Sequence, residues 1–247
     1  MGRTLAMIVV LALATAAPHF ARAAAVSEDA QIAAYVAAEG NSARSAALEH
    51  NALAASAKRA KRQGAVLTLA LAGKRAALRL ADSPECSNDK NIAACKSFQL
   101  VGALPDRHCY VVMKGRNDGA SYSLIDDRTG RQTLLPGPPQ FEPGGQRILV
   151  LNNDEMNDGP AIEIWRRAKD AAIMEWKRAI KGDEAASVDP SAGKDVAPTA
   201  IELAQWAGER IDLTMRYPAM EGHAAFQLTA TIARPRGRWQ FTVNKPK

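Results

Sequence analysis

The densest group of oxygen-bearing side chains lies in the segment NNDEMNDG, residues 152–159. Carboxylates such as those of Asp154, Glu155 and Asp158 are ligands that calcium prefers in proteins. The spacing departs from the calcium-binding loop D-x-[DN]-x-[DN]-G, because Met156 stands two residues after Asp154. We therefore interpret the segment as a hairpin loop whose three acidic side chains are a candidate ligand or partner surface, and we predict no metal site.

A second acidic pair, Asp126 and Asp127, precedes a glycine in the stretch LIDDRTG. Adjacent carboxylates can serve in general acid and base catalysis, and aspartate before a glycine is also what a tight turn requires. Tryptophans on one exposed face would stack against a sugar or a peptide, whereas tryptophans of strands would be buried in the core. The catalytic and the turn interpretation both stay open for Asp126 and Asp127. The stacking and the core interpretation both stay open for the four tryptophans, which are Trp165, Trp176, Trp206 and Trp239.

Histidines and glycine motifs give no support to the common catalytic chemistries. His50, His108 and His223 each lack a second histidine or cysteine at the spacing of a zinc site. The chain also contains no G-x-S-x-G, phosphate-loop or dinucleotide-binding motif. The sequence therefore predicts no catalytic residue, no metal and no cofactor.

The cysteines indicate one disulfide. Cys86 and Cys95 flank the polar stretch SNDKNIAA, and linking the ends of a loop of about 10 residues stabilises a protein by roughly 2 to 3 kcal/mol. The third cysteine, Cys109, alternates with Val111 and Met113 in HCYVVMKG. That alternation favours a buried apolar side chain, and the alternative is a reactive thiol.

The N-terminal residues 1–23 have the features of a secretory signal. One basic residue, Arg3, precedes an apolar run from Leu5 to Ala17, and the sequence Ala-Arg-Ala at 21–23 fits the small-x-small cleavage rule. The apolar run is shorter than the roughly 20 residues that span a membrane. We expect a periplasmic or secreted protein with no transmembrane segment in the mature chain, in a compartment that permits disulfides.

The charge of the chain indicates its range of partners. The formal net charge is +6, and loss of the signal removes Arg3 and Arg22. The remaining excess allows a loose attraction to anionic envelope surfaces, and Lys58–Arg62 (KRAKR) is the only basic cluster that stands out. Nucleic acid is not expected as a partner, because the protein is exported and aromatic residues make up only 5% of it.

The hydrophobic pattern divides the mature chain into two parts. Residues 24–62 are rich in alanine and free of proline, which favours helices. Residues 63–247 change to alternating apolar and polar positions with turn residues between them, which predicts successive hairpins. Within this part the stretch from Asp170 to Gly182 fits a strand or a short helix, and residues 183–200 form a polar, flexible loop.

Two phrases in the middle of the chain resemble a known repeat. FEPGGQRILVL is similar to the F-S-P-D-G-K signature of WD40-like propeller repeats, and YSLIDDRTGRQTLL is similar to the strand, turn and strand at the end of such a blade. The similarity covers residues 121–168, and Glu142 and Gly144 stand where the family has serine and aspartate. Uncharacterised secreted bacterial proteins carry such repeats. The resemblance implies an interaction role and no particular activity, because propellers include enzymes and scaffolds.

Together these features predict a mainly β protein of consecutive antiparallel hairpins, propeller-like or irregular, after an α-helical N-terminal segment. We expect an exported envelope protein that acts as a non-catalytic protein-binding or structural module, with an envelope protein or polymer as its partner. The alternative is a hydrolase or carbohydrate-binding protein that acts on envelope polymers.

Overall fold

The computed structural model describes residues 28–36, 42–73, 76–87, 89–116, 119–153, 160–182, 184, 196–219 and 224–244. The signal expected at residues 1–23 lies outside the described residues, as do Asp154, Glu155 and Asp158 and most of the loop expected at 183–200. Among the described residues, the helices α1 (Glu28–Val36) and α2 (Ser42–Ala55) precede the strands.

In the described part of the chain, fifteen strands form four antiparallel sheets, and in each sheet the strands follow one another in chain order. Sheet I contains β1 (Ala60–Gln63), β2 (Val66–Ala70) and β3 (Ala77–Ala81). Sheet II contains β4 (Lys96–Leu104), β5 (Cys109–Arg116), β6 (Gly119–Asp126) and β7 (Gln132–Leu135). Sheet III contains β8 (Pro139–Phe141), β9 (Arg147–Asn152), β10 (Ala161–Arg167) and β11 (Ala172–Ala179). Sheet IV contains β12 (Ala200–Ala207), β13 (Arg210–Tyr217), β14 (Phe226–Ala233) and β15 (Gln240–Asn244). The prediction of a mainly β chain of consecutive antiparallel hairpins is therefore confirmed.

The helical prediction for residues 24–62 is wrong at its C-terminal end. α2 ends at Ala55, and the basic cluster contributes to strand β1 instead. Ala60 pairs with Leu69 of β2 and is buried. Pairing with a neighbouring strand outweighs the helix preference of the local sequence, as tertiary contacts often do.

The stretch after Asp170, which fits strand or helix by sequence, is strand β11. It pairs along its length with β10, with an irregular register between Ile164 and Trp165. Its residues Ile173 and Met174 are exposed. The helix-like spacing of its apolar residues therefore does not correspond to a buried face.

The sheets pack as layers, and sheets II and III each have a buried core on both of their faces. Because side chains alternate along a strand, Ile148 and Val150 of β9 pack towards sheet II, and Leu149 and Leu151 pack towards sheet IV. Sheet II contributes Val111 to the core shared with sheet III. The opposite face of sheet II packs against sheet I. The residues that it buries there are Leu100, Tyr110, Val112 and Ile125.

The free edge of β4 is covered by side chains that replace a neighbouring strand. The backbone N–H groups of residues 96, 98 and 100 donate to the Ser83 hydroxyl at 3.0 Å, the Asp82 carboxylate at 2.7 Å and the Glu49 carboxylate at 2.9 Å. Arg62 holds two of these acceptors, with ion pairs of 2.8 Å to Glu49 and 3.1 Å to Asp82. An exposed row of unpaired backbone groups would invite pairing with another chain, and these contacts remove it.

The two helices pack over the same region. Ile32 and Tyr35 of α1 are buried in the core between sheets II and III, and Ala52 of α2 is buried in the core between sheets I and II. The Tyr35 hydroxyl donates to the side-chain carbonyl of Gln99 in β4. Among the described residues, neither helix is long and apolar enough to cross a membrane.

Candidate anion-binding cleft

Hairpin turns of sheets II and III meet at one edge of the protein and enclose a cleft of about 460 Å³. Sheet II contributes the β4–β5 turn and the β6–β7 turn, and sheet III contributes the β8–β9 and β10–β11 turns. Meandering strands place every second turn at the same edge, so these four turns come together. The described lining residues are His108, Arg128, Gly145, Gln146, Arg166, Arg167, Ala168 and Lys169.

The lining is strongly basic. Four of its side chains are those of arginine or lysine, and none of its described residues carries a carboxylate. Carboxylates lie just behind the lining, where Asp126 pairs with Arg128 at 3.0 Å and Glu175 pairs with Arg166 at 3.2 Å. Within the described part of the chain, no ion pair neutralises Arg167 or Lys169. The cleft therefore keeps an excess of positive charge.

Arg128 is held in place from two sides. Its Nη2 donates to Asp126 Oδ2 and to the backbone carbonyl of Lys169, so the side chain bridges the two sheets. Asp126 is itself fixed, because its Oδ1 accepts bonds from the backbone N–H groups of Arg128 and Thr129 and from the Thr129 hydroxyl. Burial raises the pKa of Asp126, but these hydrogen bonds together outweigh it and hold the pKa below its usual range.

Arg167 is held by neutral groups. Its Nη1 donates to the carbonyl of Gly145 at 3.2 Å, and its Nη2 donates to the carbonyl of Arg107. Backbone carbonyls orient a guanidinium without cancelling its charge. The guanidinium of Arg167 is consequently both fixed in position and positively charged at the wall of the cleft.

His108 stands where the cleft adjoins sheet I. It adopts the left-handed conformation, with φ 49° and ψ 42°, and its side chain is 57% exposed. Its Nδ1 lies 3.7 Å from Oδ1 of Asp127, whose side chain is buried. The other oxygen of Asp127 pairs with Arg59, whereas Oδ1 has no hydrogen-bond partner among the described residues.

The structure separates the two adjacent aspartates that the sequence placed together. Asp126 faces the β6–β7 turn and Arg128, and Asp127 faces Arg59 beside sheet I. Each serves a separate set of contacts, so the pair does not form a two-carboxylate site. The turn interpretation of the sequence accounts for Asp126.

The tryptophans do not gather on one exposed face. Trp165 packs against the core between sheets II and III, and its indole N–H donates to Glu163 at 3.0 Å. Trp176, Trp206 and Trp239 pack against the core between sheets III and IV. These positions match the core interpretation.

The predicted disulfide between Cys86 and Cys95 is present. Cys109 is not part of a disulfide and is buried. No group of three or more histidine, cysteine or acidic side chains suited to a metal ion occurs within the described ranges.

Sequence reasoning did not find the cleft. Its basic side chains come from separate segments, and only RRAK at 166–169 is visible as a short basic run. The position of this basic run next to a hairpin turn is the sequence signal for the cleft, because basic residues concentrated in a hairpin turn are exposed at a sheet edge.

Comparisons with known proteins found no matching family model, no similar curated protein and no similar solved structure. The function must therefore be argued from the geometry of the chain itself.

Proposed function

We propose that this chain is an exported, non-catalytic binding module of the cell envelope, and that the basic cleft is its contact surface. The observation that carries the proposal is the pair of uncompensated cations, Arg167 and Lys169, in a cleft bordered by side chains already fixed in position. Fixed donors favour binding, because little side-chain freedom is lost when the ligand arrives. The partner is an anionic component of the envelope.

Export is supported by the signal-like N-terminus and by the disulfide, since disulfides persist in oxidising compartments. A tagged full-length chain expressed in cells should appear in the envelope or external fraction, with a mature N-terminus after residue 23 or 25. A chain that keeps residues 1–23 and stays in the cytoplasmic fraction would contradict export.

The binding role is tested with the purified mature chain and an isolated cell-envelope fraction. We expect co-sedimentation that weakens between about 50 mM and about 300 mM salt, because salt screens exposed charges. The double variant Arg167→Gln/Lys169→Gln should bind several-fold more weakly. Lys58→Gln/Lys61→Gln is the matched control, since it removes the same charge from exposed positions near sheet I. Equal binding by both double variants would refute the cleft as the contact surface.

We also infer that the four sheets are successive blades of an irregular propeller. Each sheet is a meander in chain order, and the stretch that resembles propeller repeats, residues 121–168, begins in β6 of sheet II and ends after β10 of sheet III. Spin labels at Lys61→Cys and Gln205→Cys test the arrangement. A straight stack separates sheets I and IV by about 30 Å, three spacings of about 10 Å, and a curved arrangement brings them closer.

A further inference from the structure

The cleft has one wall from sheet II and one from sheet III, and both walls present hydrogen-bond donors. Sheet II provides Arg128 and His108, and sheet III provides Arg166, Arg167 and Lys169. A ligand in the cleft would therefore need acceptor atoms that point to more than one side. The volume of about 460 Å³ holds a small anion together with part of the molecule that carries it.

The two fixed guanidinium groups keep donors to spare. Arg128 uses one nitrogen for its bonds to Asp126 and to the Lys169 carbonyl, and Arg167 uses its two terminal nitrogens for one carbonyl each. A guanidinium carries more N–H groups than these bonds consume. The remaining donors are available to a ligand without breaking the contacts that hold the arginines in place.

A buried carboxylate oxygen lies behind His108. Oδ1 of Asp127 is buried and has no hydrogen-bond partner in the described part of the structure, and it lies 3.7 Å from His108 Nδ1. Buried polar atoms are normally paired. The imidazole of His108 carries an N–H donor and stands between this oxygen and the cleft, so it can donate to an anion there.

We propose that the cleft is a phosphate subsite, in which Arg128, Arg167 and Lys169 bind the phosphoryl oxygens and His108 supplies a further donor. This inference rests on the proposed function and specifies the anion. A phosphoryl group carries more charge than a carboxylate and directs its oxygens tetrahedrally, so it can reach both walls at once. A planar carboxylate can engage only one wall with both oxygens.

Calorimetric titration of the purified mature chain at low salt tests the subsite, with inorganic phosphate as the probe and acetate as the carboxylate control. We expect phosphate to bind and acetate to bind much more weakly. Lys169→Gln should weaken phosphate binding roughly three- to tenfold, the effect of losing one partly exposed charged contact. Lys61→Gln removes an exposed lysine from sheet I and should leave phosphate binding unchanged.

Lys169 is exposed, so its replacement does not threaten the fold. His108→Asn is a second variant, because asparagine tolerates the left-handed backbone at this position. It should weaken phosphate binding, because it removes the imidazole donor from the cleft. Absence of phosphate binding, equal binding of acetate, or identical affinities for Lys169→Gln and Lys61→Gln would overturn the subsite.

A parallel arm identifies the source of the phosphate. Binding to vesicles that contain phosphatidylglycerol, but not to phosphatidylcholine vesicles, together with competition by inorganic phosphate, would assign a lipid headgroup. Binding of inorganic phosphate without vesicle binding would assign a free phosphate compound. Loss of phosphate binding with retained, cleft-dependent envelope binding would reject the subsite and keep the proposed function, and loss of both would reject both.

Discussion

The carboxylate of Glu49 in α2 accepts a hydrogen bond of 2.9 Å from the backbone N–H of Leu100 in β4, 51 residues further along the chain. The same oxygen pairs with Arg62 at 2.8 Å. One side chain thus ties a helix to the free edge of a sheet and anchors the first strand of sheet I. This contact joins the N-terminal helices to the β layers.

Replacing Glu49 should destabilise the protein strongly. Glu49→Leu leaves the Leu100 N–H without its acceptor and weakens the pairing of the partly buried Arg62, which should lower the free energy of unfolding by about 3 kcal/mol. Glu49→Gln keeps an acceptor oxygen and should cost less. Denaturant unfolding of both variants measures the difference.

Glu202→Leu is the matched control for that experiment. Glu202 also pairs with an arginine, Arg216, but both side chains are 49% exposed. An exposed ion pair contributes less than about 1 kcal/mol. Similar losses for Glu49→Leu and Glu202→Leu would show that the edge contact has no special role.

The disulfide should stabilise the fold in solution. Reduction of Cys86–Cys95, or the double variant Cys86→Ser/Cys95→Ser, should lower the free energy of unfolding by about 2 to 3 kcal/mol, because the loop regains freedom in the unfolded chain. Native protein should show no rapid reaction of Cys109 with thiol reagents, since that side chain is buried. Peptide mapping that finds both Cys86 and Cys95 free in the exported protein would contradict the prediction.

Tyr217 should make the protein sensitive to alkali. Burial, with a smaller effect from the negative charge of Glu184, raises the pKa of Tyr217 to about 12, and its ring stacks on Phe226 with centroids 4.7 Å apart. Unfolded tyrosine titrates near pH 10. The stabilisation is complete below about pH 10 and is lost as pH rises towards 12, by about 3 kcal/mol in total.

Tyr217→Phe tests this directly. The variant should differ little from the parent chain at pH 8, because the described contact of the hydroxyl is a long one, 4.0 Å to the Met215 sulfur. Between pH 10 and 12 it should lose less stability than the parent. Parallel curves over this range would show that Tyr217 does not titrate differently in the folded and unfolded chains.

Asp126 should affect the stability of the protein in acid, at the opposite end of the pH scale from Tyr217. Its pKa is lowered in the folded protein, so its stabilisation is present above the pKa of an unfolded aspartate, near 4, and is lost as pH falls through the folded pKa. Asp126→Asn keeps an acceptor for Arg128 and Thr129 and should cost about 1 kcal/mol at pH 7. We expect this difference in unfolding free energy to shrink in acid, and a constant difference from pH 7 to pH 3 would be the contrary result.

The sequence by itself determined the local features. The alternation of Cys109, Val111 and Met113 in HCYVVMKG predicts β5, because a strand with two opposite faces has that period. The spacing of Cys86 and Cys95 predicted their disulfide for a similarly local reason. Strand β8 was not predicted, since its three residues begin with a proline that is tolerated at a sheet edge.

Only the tertiary structure decided which distant residues meet. The basic cleft combines Arg128 with Arg167, which lie in different sheets, and no local pattern links them. Neighbouring Asp126 and Asp127 have different partners because side chains of consecutive residues at the end of β6 point to opposite faces of sheet II. Local periodicity records which face of a strand is buried, but the contacts between layers depend on how whole sheets pack, and that is a property of the complete fold.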